Sequence, residues 1–124
     1  MKVIDSSGWL EFFADGPLAS VYAEHLSRLD LVLTPTIVLF EVYKWIKRER
    51  SEEHAFVAVA QISETRVIPV STALALTAAD LSLEYHLAMA DSFVYATAVS
   101  HGADLVTSDA DFASLPGVLY LPKP

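Results

Sequence analysis

Asp5, Glu41, Asp91 and Asp109 are the side chains in this sequence best suited to chemistry. Asp5 directly follows Val3-Ile4, and Glu41 interrupts the apolar stretch Thr-Ile-Val-Leu-Phe-Glu-Val-Tyr (36–43). Asp91 opens a helical pattern, and Asp109 follows Leu105-Val106-Thr107 after one serine. Brought together and unpaired, such groups repel: two unit charges roughly 4 Å apart cost about 4 kcal/mol at an effective dielectric near 20. Either the carboxylates take up protons through raised pKa values, or a divalent cation compensates them. Oxygen-only ligands, in a chain with no cysteine and no convergent histidines, suit Mg²⁺ or Mn²⁺ rather than Zn²⁺. A cation held there orients a water, lowers its pKa and neutralises charge building on a phosphodiester. The chemistry implied is metal-assisted hydrolysis at phosphorus.

Each acid also has a purely structural role open to it. Asp5 and Asp91 are good helix N-caps, and Asp109 and Asp111 fit a loop around a short helix. Glu41 is spaced to pair with Lys44 one turn on. Its helical neighbours Ile37, Val38 and Trp45 are apolar, however, and a carboxylate in such a stripe needs a partner or a metal. His25, His54, His86 and His101 have no metal-ligand spacing and read as structural. Trp9, Phe12, Phe13, Tyr43 and Trp45 read as core or interface.

The elements that must position these acids follow from the apolar pattern. Brief runs rich in Val, Ile and Leu at 2–4, 31–33, 67–70, 105–107 and 118–121 predict buried parallel strands. Between them, helices are expected near 7–13, 18–29, 36–48, 52–63, 72–85 and 91–101. Asp15-Gly16-Pro17 separates the first two helices, Thr34-Pro35 offers an N-cap followed by an N1 proline, and Gly102 ends the helix at His101. Strand–helix alternation predicts an α/β fold, a parallel sheet covered by helices on both faces. Without repeats or a linker, 1–124 reads as one domain. In such sheets ligands collect at the carboxyl ends of the strands, where Asp5 and Asp109 fall. A helix that runs down to an upward strand starts at the same end, which adds Asp91. Glu41, early in the helix after the second strand, leans back toward it.

Composition narrows the class. Hydrophobic residues make up 53% of the 124, enough for a core and more than so small a domain hides, so an exposed apolar patch for a partner or a second copy is expected. The lack of cysteine removes disulfides and thiolate sites and fits a reducing cytoplasm. No run is long enough to cross a bilayer, and the first residues lack a secretion-signal pattern. Sixteen acids against eight bases give a net charge of −8, which argues against duplex DNA binding by the chain itself. Four of the bases, Lys44, Lys47, Arg48 and Arg50, crowd into one segment. They read either as a solvated helix end that complements the dipole or as a substrate contact.

Three segments resemble the PIN-domain family, specifically its VapC-type toxin branch. Val-Ile-Asp-Ser-Ser (3–7) is similar to the opening strand and first acid, and Phe-Glu-Val (40–42) to the glutamate helix. Met-Ala-Asp-Ser-Phe-Val-Tyr-Ala-Thr-Ala (89–98), followed by Gly-Ala-Asp-Leu-Val-Thr-Ser-Asp-Ala-Asp-Phe (102–112), is similar to the family's acid-headed helix, strand and Thr-x-Asp. The resemblance implies a three-layer α/β/α sandwich around a central parallel sheet of four to five strands. It also implies Mg²⁺- or Mn²⁺-dependent endoribonuclease activity, a homodimer, and neutralisation by a cognate antitoxin. Asp5, Glu41, Asp91 and Asp109 would form the acidic quartet and hold the metal. Ser6 and Thr107 would orient carboxylates or waters, and Asp111 would assist or replace Asp109. Lys44, Lys47, Arg48 and Arg50 would contact RNA, and the acids would suit an antitoxin arginine.

Two other readings compete. A catalytically silent PIN fold would act only as a binding module. A receiver-like phosphotransfer domain shares the length, the acidic pocket and a Lys-Pro like Lys123-Pro124, but it needs an acid after the third strand. Here that strand runs into Pro69-Val70-Ser71-Thr72.

Overall fold

In the computed structural model, which describes all of residues 1–124, the apolar runs pair into one five-stranded parallel sheet. The strands are β1 (Lys2–Ile4), β2 (Val32–Pro35), β3 (Arg66–Ile68), β4 (Asp104–Thr107) and β5 (Val118–Tyr120), in the order β3-β2-β1-β4-β5. Six helices flank it as an α/β/α sandwich: α1 (Ser6–Phe13), α2 (Ala19–His25), α3 (Thr36–Glu49), α4 (Glu52–Ile62), α5 (Thr72–Tyr85) and α6 (Met89–Ser100). Helices pack in sequential pairs, α1 with α2, α3 with α4, and α5 with α6. The three inner strands carry continuous apolar residues because both of their faces are covered. Val3, Ile4, Val32, Leu33, Leu105 and Val106 are all fully buried. The outer strands end in solvent, with Arg66 and Leu119 exposed.

Strand order creates the site. From β1 the chain winds outward through β2 to β3, then returns to the other side of β1 for β4 and β5. The carboxyl ends of β1 and β4 therefore part at the point of reversal and leave a crevice between the loops that follow them. Receiver-type domains place their first strand differently, in the order 2-1-3-4-5, so topology as well as the missing acid excludes that reading.

Several boundaries differ from those the sequence suggests. The second strand begins at Val32, because Leu29–Leu31 forms a 3-10 turn that leaves Leu31 exposed. It runs on through Pro35, which pairs with Ile68. Thr34 thus lies inside the strand rather than capping α3, and its hydroxyl is hydrogen-bonded to Thr65 Oγ1 at 2.7 Å. Pro35 takes the N-cap position instead of N1. Helix α2 stops at His25, well short of position 29, and the following Leu26 turns into the core. Helix α6 starts at Met89, so Asp91 lies inside its first turn. Here His86, in the left-handed conformation at φ 58°, ends α5 and leaves only Leu87-Ala88 to begin the next helix. Gly102, at φ 61°, terminates α6 as its position suggests.

The expected apolar patch lies between α3 and α4. Phe40 and Phe56 are exposed there, and Thr36, Leu39, Phe40, Tyr43, Phe56 and Val59 line a shallow groove.

Candidate metal centre

Asp5, Glu41, Asp91 and Asp109 line one open cleft of about 360 Å³ at the carboxyl end of the sheet. They arrive from four elements: the β1–α1 junction, α3, the first turn of α6, and the turn after β4. Asp5 is the most enclosed, at 4% exposure. It occupies the N-cap position of α1 but makes no side-chain capping bond. Instead its Oδ2 accepts hydrogen bonds from Thr107 Oγ1 at 2.8 Å and Ser7 Oγ at 3.0 Å, while Oδ1 takes no side-chain hydrogen bond. The capping explanation therefore fails for Asp5, and likewise for Asp91, since Ala88 is the N-cap of α6.

Thr107 ties the site together. Its hydroxyl donates to Asp5 and accepts the Asp109 backbone N–H at 2.9 Å, so β1 and the turn after β4 are fixed against each other. Ser7 does the same from α1, accepting the Ser108 N–H at 3.1 Å. Asp109 Oδ1 accepts the N–H of Asp111, which shapes the short 3-10 turn Ala110–Phe112. Asp109 thus has the local structural role open to it while its carboxyl group also borders the cleft.

Charge at the site is uncompensated. The chain's ion pairs are Arg28–Asp30, Lys47–Glu52, Arg48–Glu49 and Lys123–Glu11, and none neutralises a member of the quartet. Glu41 makes no pair with Lys44, whose ammonium lies over the Phe40 ring, 5.5 Å from its centre. Burial and then the neighbouring Asp109, Asp5, Glu41 and Asp111 push the Asp91 pKa up to about 6. Burial, followed by Asp5, raises Glu41, with the Ser6 hydroxyl partly offsetting it. Burial raises Asp5 as well, against the hydrogen bonds from Thr107 and Ser7.

The donor set fits a hard divalent cation. All candidate ligands are carboxylate oxygens, and Asp91, Asp109 and Asp111 each bring one such atom within 4.8 Å of the others. Asp111 does not line the main cleft, so it joins Asp91 and Asp109 from the outer side.

A folded chain with raised carboxyl pKa values binds more protons than the unfolded chain, so its stability falls as pH rises through the window between the two values. For Asp91 that window runs from 3.8 to about 6. Thermal unfolding without divalent metal should show Tm decreasing over this range, and Mn²⁺ should restore it above pH 6. A Tm that rises across the window and ignores Mn²⁺ would refute the uncompensated cluster.

Residues 2–118 match the PIN domain family. The chain belongs to that family. Among solved structures, this PIN domain is similar to a toxin–antitoxin complex from Klebsiella pneumoniae, at 25% identity and TM-score 0.85 with all of both chains covered. It is also similar to VapC20 of Mycobacterium tuberculosis, a Sarcin-Ricin loop cleaving toxin, at 22% identity and TM-score 0.81, covering 98% of this chain and 100% of that one. A DNA-bound VapBC from Salmonella typhimurium aligns at 18% identity and TM-score 0.78, covering 98% of each chain. No curated protein sequence matches the chain. The resemblance to the PIN-domain family read from the sequence is borne out by the family match, and these neighbours share its fold.

The structure separates the other expected residues. Lys44 and Arg48 border a groove that shares Ser6, Leu10, Glu41 and Trp45 with the acid cleft. Lys47 pairs with Glu52 at the start of α4 at 3.9 Å and donates to Tyr43 Oη on its own helix at 3.5 Å. Arg50 lines a different, apolar pocket with Phe13, Trp45 and Val57. The four bases therefore do not form one surface. Ser6 borders the cleft, but Ser7 is the serine that donates to Asp5. Sequence reasoning passed over Ser7 and Glu11, although their i,i+4 spacing on α1 places both on the cleft-facing side. It also passed over Tyr22, whose buried hydroxyl is hydrogen-bonded to Ser108 Oγ at 2.6 Å.

Proposed function

We propose that this PIN domain is a metal-dependent endoribonuclease, that it acts as the toxin of a VapBC-type pair, and that a cognate antitoxin neutralises it. The observation that carries the reading is the convergence of Asp5, Glu41, Asp91 and Asp109, none of them ion-paired, on one open cleft. Asp5, Asp91, Glu41 and Asp109 hold Mg²⁺ or Mn²⁺, and Asp111 assists Asp109. When bound, the cation supplies an activated water and neutralises the charge that develops on the phosphodiester.

The chain's own residues supply position and enclosure. Thr107 and Ser7 both donate to Oδ2 of Asp5 and so fix the orientation of its carboxylate. Such outer hydrogen bonds orient a ligating carboxylate and hold its charged form. Lys44 and Arg48, on the groove that leads away from the acids, bind the RNA backbone beside the cut. The toxin–antitoxin assemblies among the structural neighbours support an antitoxin partner, and the apolar groove between α3 and α4 supports a protein interface, including a homodimer.

The test is cleavage of labelled RNA by the purified chain with Mn²⁺, with EDTA, and with Asp5→Ala. Cleavage should require metal and vanish in the variant. Equal inactivity of wild type and variant with Mn²⁺ supplied would favour the silent binding module. Adding the antitoxin should suppress cleavage, and unchanged activity in the complex would refute neutralisation.

A further inference from the structure

Lys123 is the one basic side chain that lines the acid cleft, and the fold holds it there through Glu11. Glu11 is 7% exposed. Its Oε1 accepts the Leu18 N–H at 3.0 Å, and Gly16 lies so close that an added Cβ would stand 2.5 Å from Oε2. The loop after α1 therefore wraps a carboxylate that cannot move far. A carboxylate enclosed in this way needs a counter-charge, and Lys123 Nζ supplies it at 3.7 Å from Oε2. The lysine side chain itself remains 55% exposed. An ammonium has three donors, so pairing with Glu11 leaves others for a ligand in the cleft.

An anionic strand entering a cleft lined by five acids, Glu11 among them, requires cations in contact with it. Lys44 and Arg48 border only the adjoining groove, whereas Lys123 borders only the cleft. We propose that Lys123 is a substrate-binding residue that takes a phosphate oxygen of the RNA strand as it passes the acids. Glu11 is the positioning residue that keeps the ammonium at the cleft wall and away from the quartet. The proposal rests on the ribonuclease reading and adds to it a second phosphate contact, separate from the bases of α3.

The experiment is steady-state cleavage of a short fluorescein-labelled single-stranded RNA by the full chain with Mn²⁺, over a series of salt concentrations. Lys123→Ala should raise KM about tenfold, as loss of one charge-assisted hydrogen bond does, and leave kcat within about twofold. The salt dependence of log(kcat/KM) should become shallower by about 0.7, the share of one phosphate contact on a single strand. Lys123→Arg should restore both, and Lys123→Gln should behave as the alanine variant. Glu11→Gln, which retains an acceptor for Leu18, should raise KM by a smaller factor with kcat kept. If Lys123→Ala cleaves RNA with unchanged KM and salt slope, Lys123 is only the counter-ion of Glu11 and the proposal falls while the ribonuclease reading stands. If wild type cleaves no RNA with Mn²⁺, both fall.

Discussion

Asp91→Asn should reduce Mn²⁺-dependent RNA cleavage by more than about a hundredfold and, in metal-free buffer at pH 7, raise Tm. Asp91 belongs to both acidic groupings: it lines the cleft with Asp5, Glu41 and Asp109, and it brings an oxygen within 4.8 Å of Asp109 and Asp111. Loss of outer-shell partners of a metal ligand typically costs 10–100-fold, so loss of a carboxylate common to both groupings should exceed about a hundredfold. Stability should move the other way. Burial and four neighbouring acids oppose the charge on Asp91, and a neutral amide of nearly the same shape removes that opposition. The opposite signs separate a functional loss from misfolding. Asp111→Asn provides the comparison: it lies outside the cleft lining and should retain more activity than Asp91→Asn. Kinetics and thermal unfolding on the two variants decide the matter, and an active Asp91→Asn would remove the acid cluster from the mechanism.

Gly8→Ala should destabilise the chain by about 3 kcal/mol, near the upper end of overpacking penalties, or roughly 10 °C in Tm for a domain of this size. A Cβ on Gly8 would stand 2.2 Å from Tyr22 Cε1, inside a fully buried ring that has no room to retreat. The consequence reaches the site, because Tyr22 Oη is hydrogen-bonded to Ser108, whose backbone N–H is held by Ser7. Ser7 in turn donates to Asp5. Displacement of the ring should therefore loosen the loop that carries Asp109 and weaken Mn²⁺ binding. Tyr22→Phe isolates the hydroxyl: it keeps the ring and should cost only about 1 kcal/mol. A Gly8→Ala chain with wild-type Tm by calorimetry would show that α1 and α2 are not packed as described.

Much of this architecture is legible in the sequence. Short apolar runs separated by helical patterns are what buried parallel strands and their crossovers require, so the element types and their order follow from local pattern. The acids stood out because Asp5 and Asp109 fall just past strand ends and Glu41 breaks an apolar stripe. Boundaries were less legible. Val32–Pro35 is a strand because Pro35 finds Ile68 as a neighbour, and nothing local distinguishes that from a helix whose cap is Thr34.

The sequence by itself determined which side chains can do chemistry and which end of the sheet they occupy, since both depend on residue type and on position within an element. Only the tertiary structure decided which of those groups share a surface. It chose Ser7 over Ser6 as the donor to Asp5, separated Lys44 and Arg48 from Lys47 and Arg50, and set Lys123 beside Glu11. The reason is range. Burial, Coulomb interaction and hydrogen bonding act through space over a few ångströms, and residues more than a hundred positions apart in the chain come that close only after the sheet has closed its order β3-β2-β1-β4-β5.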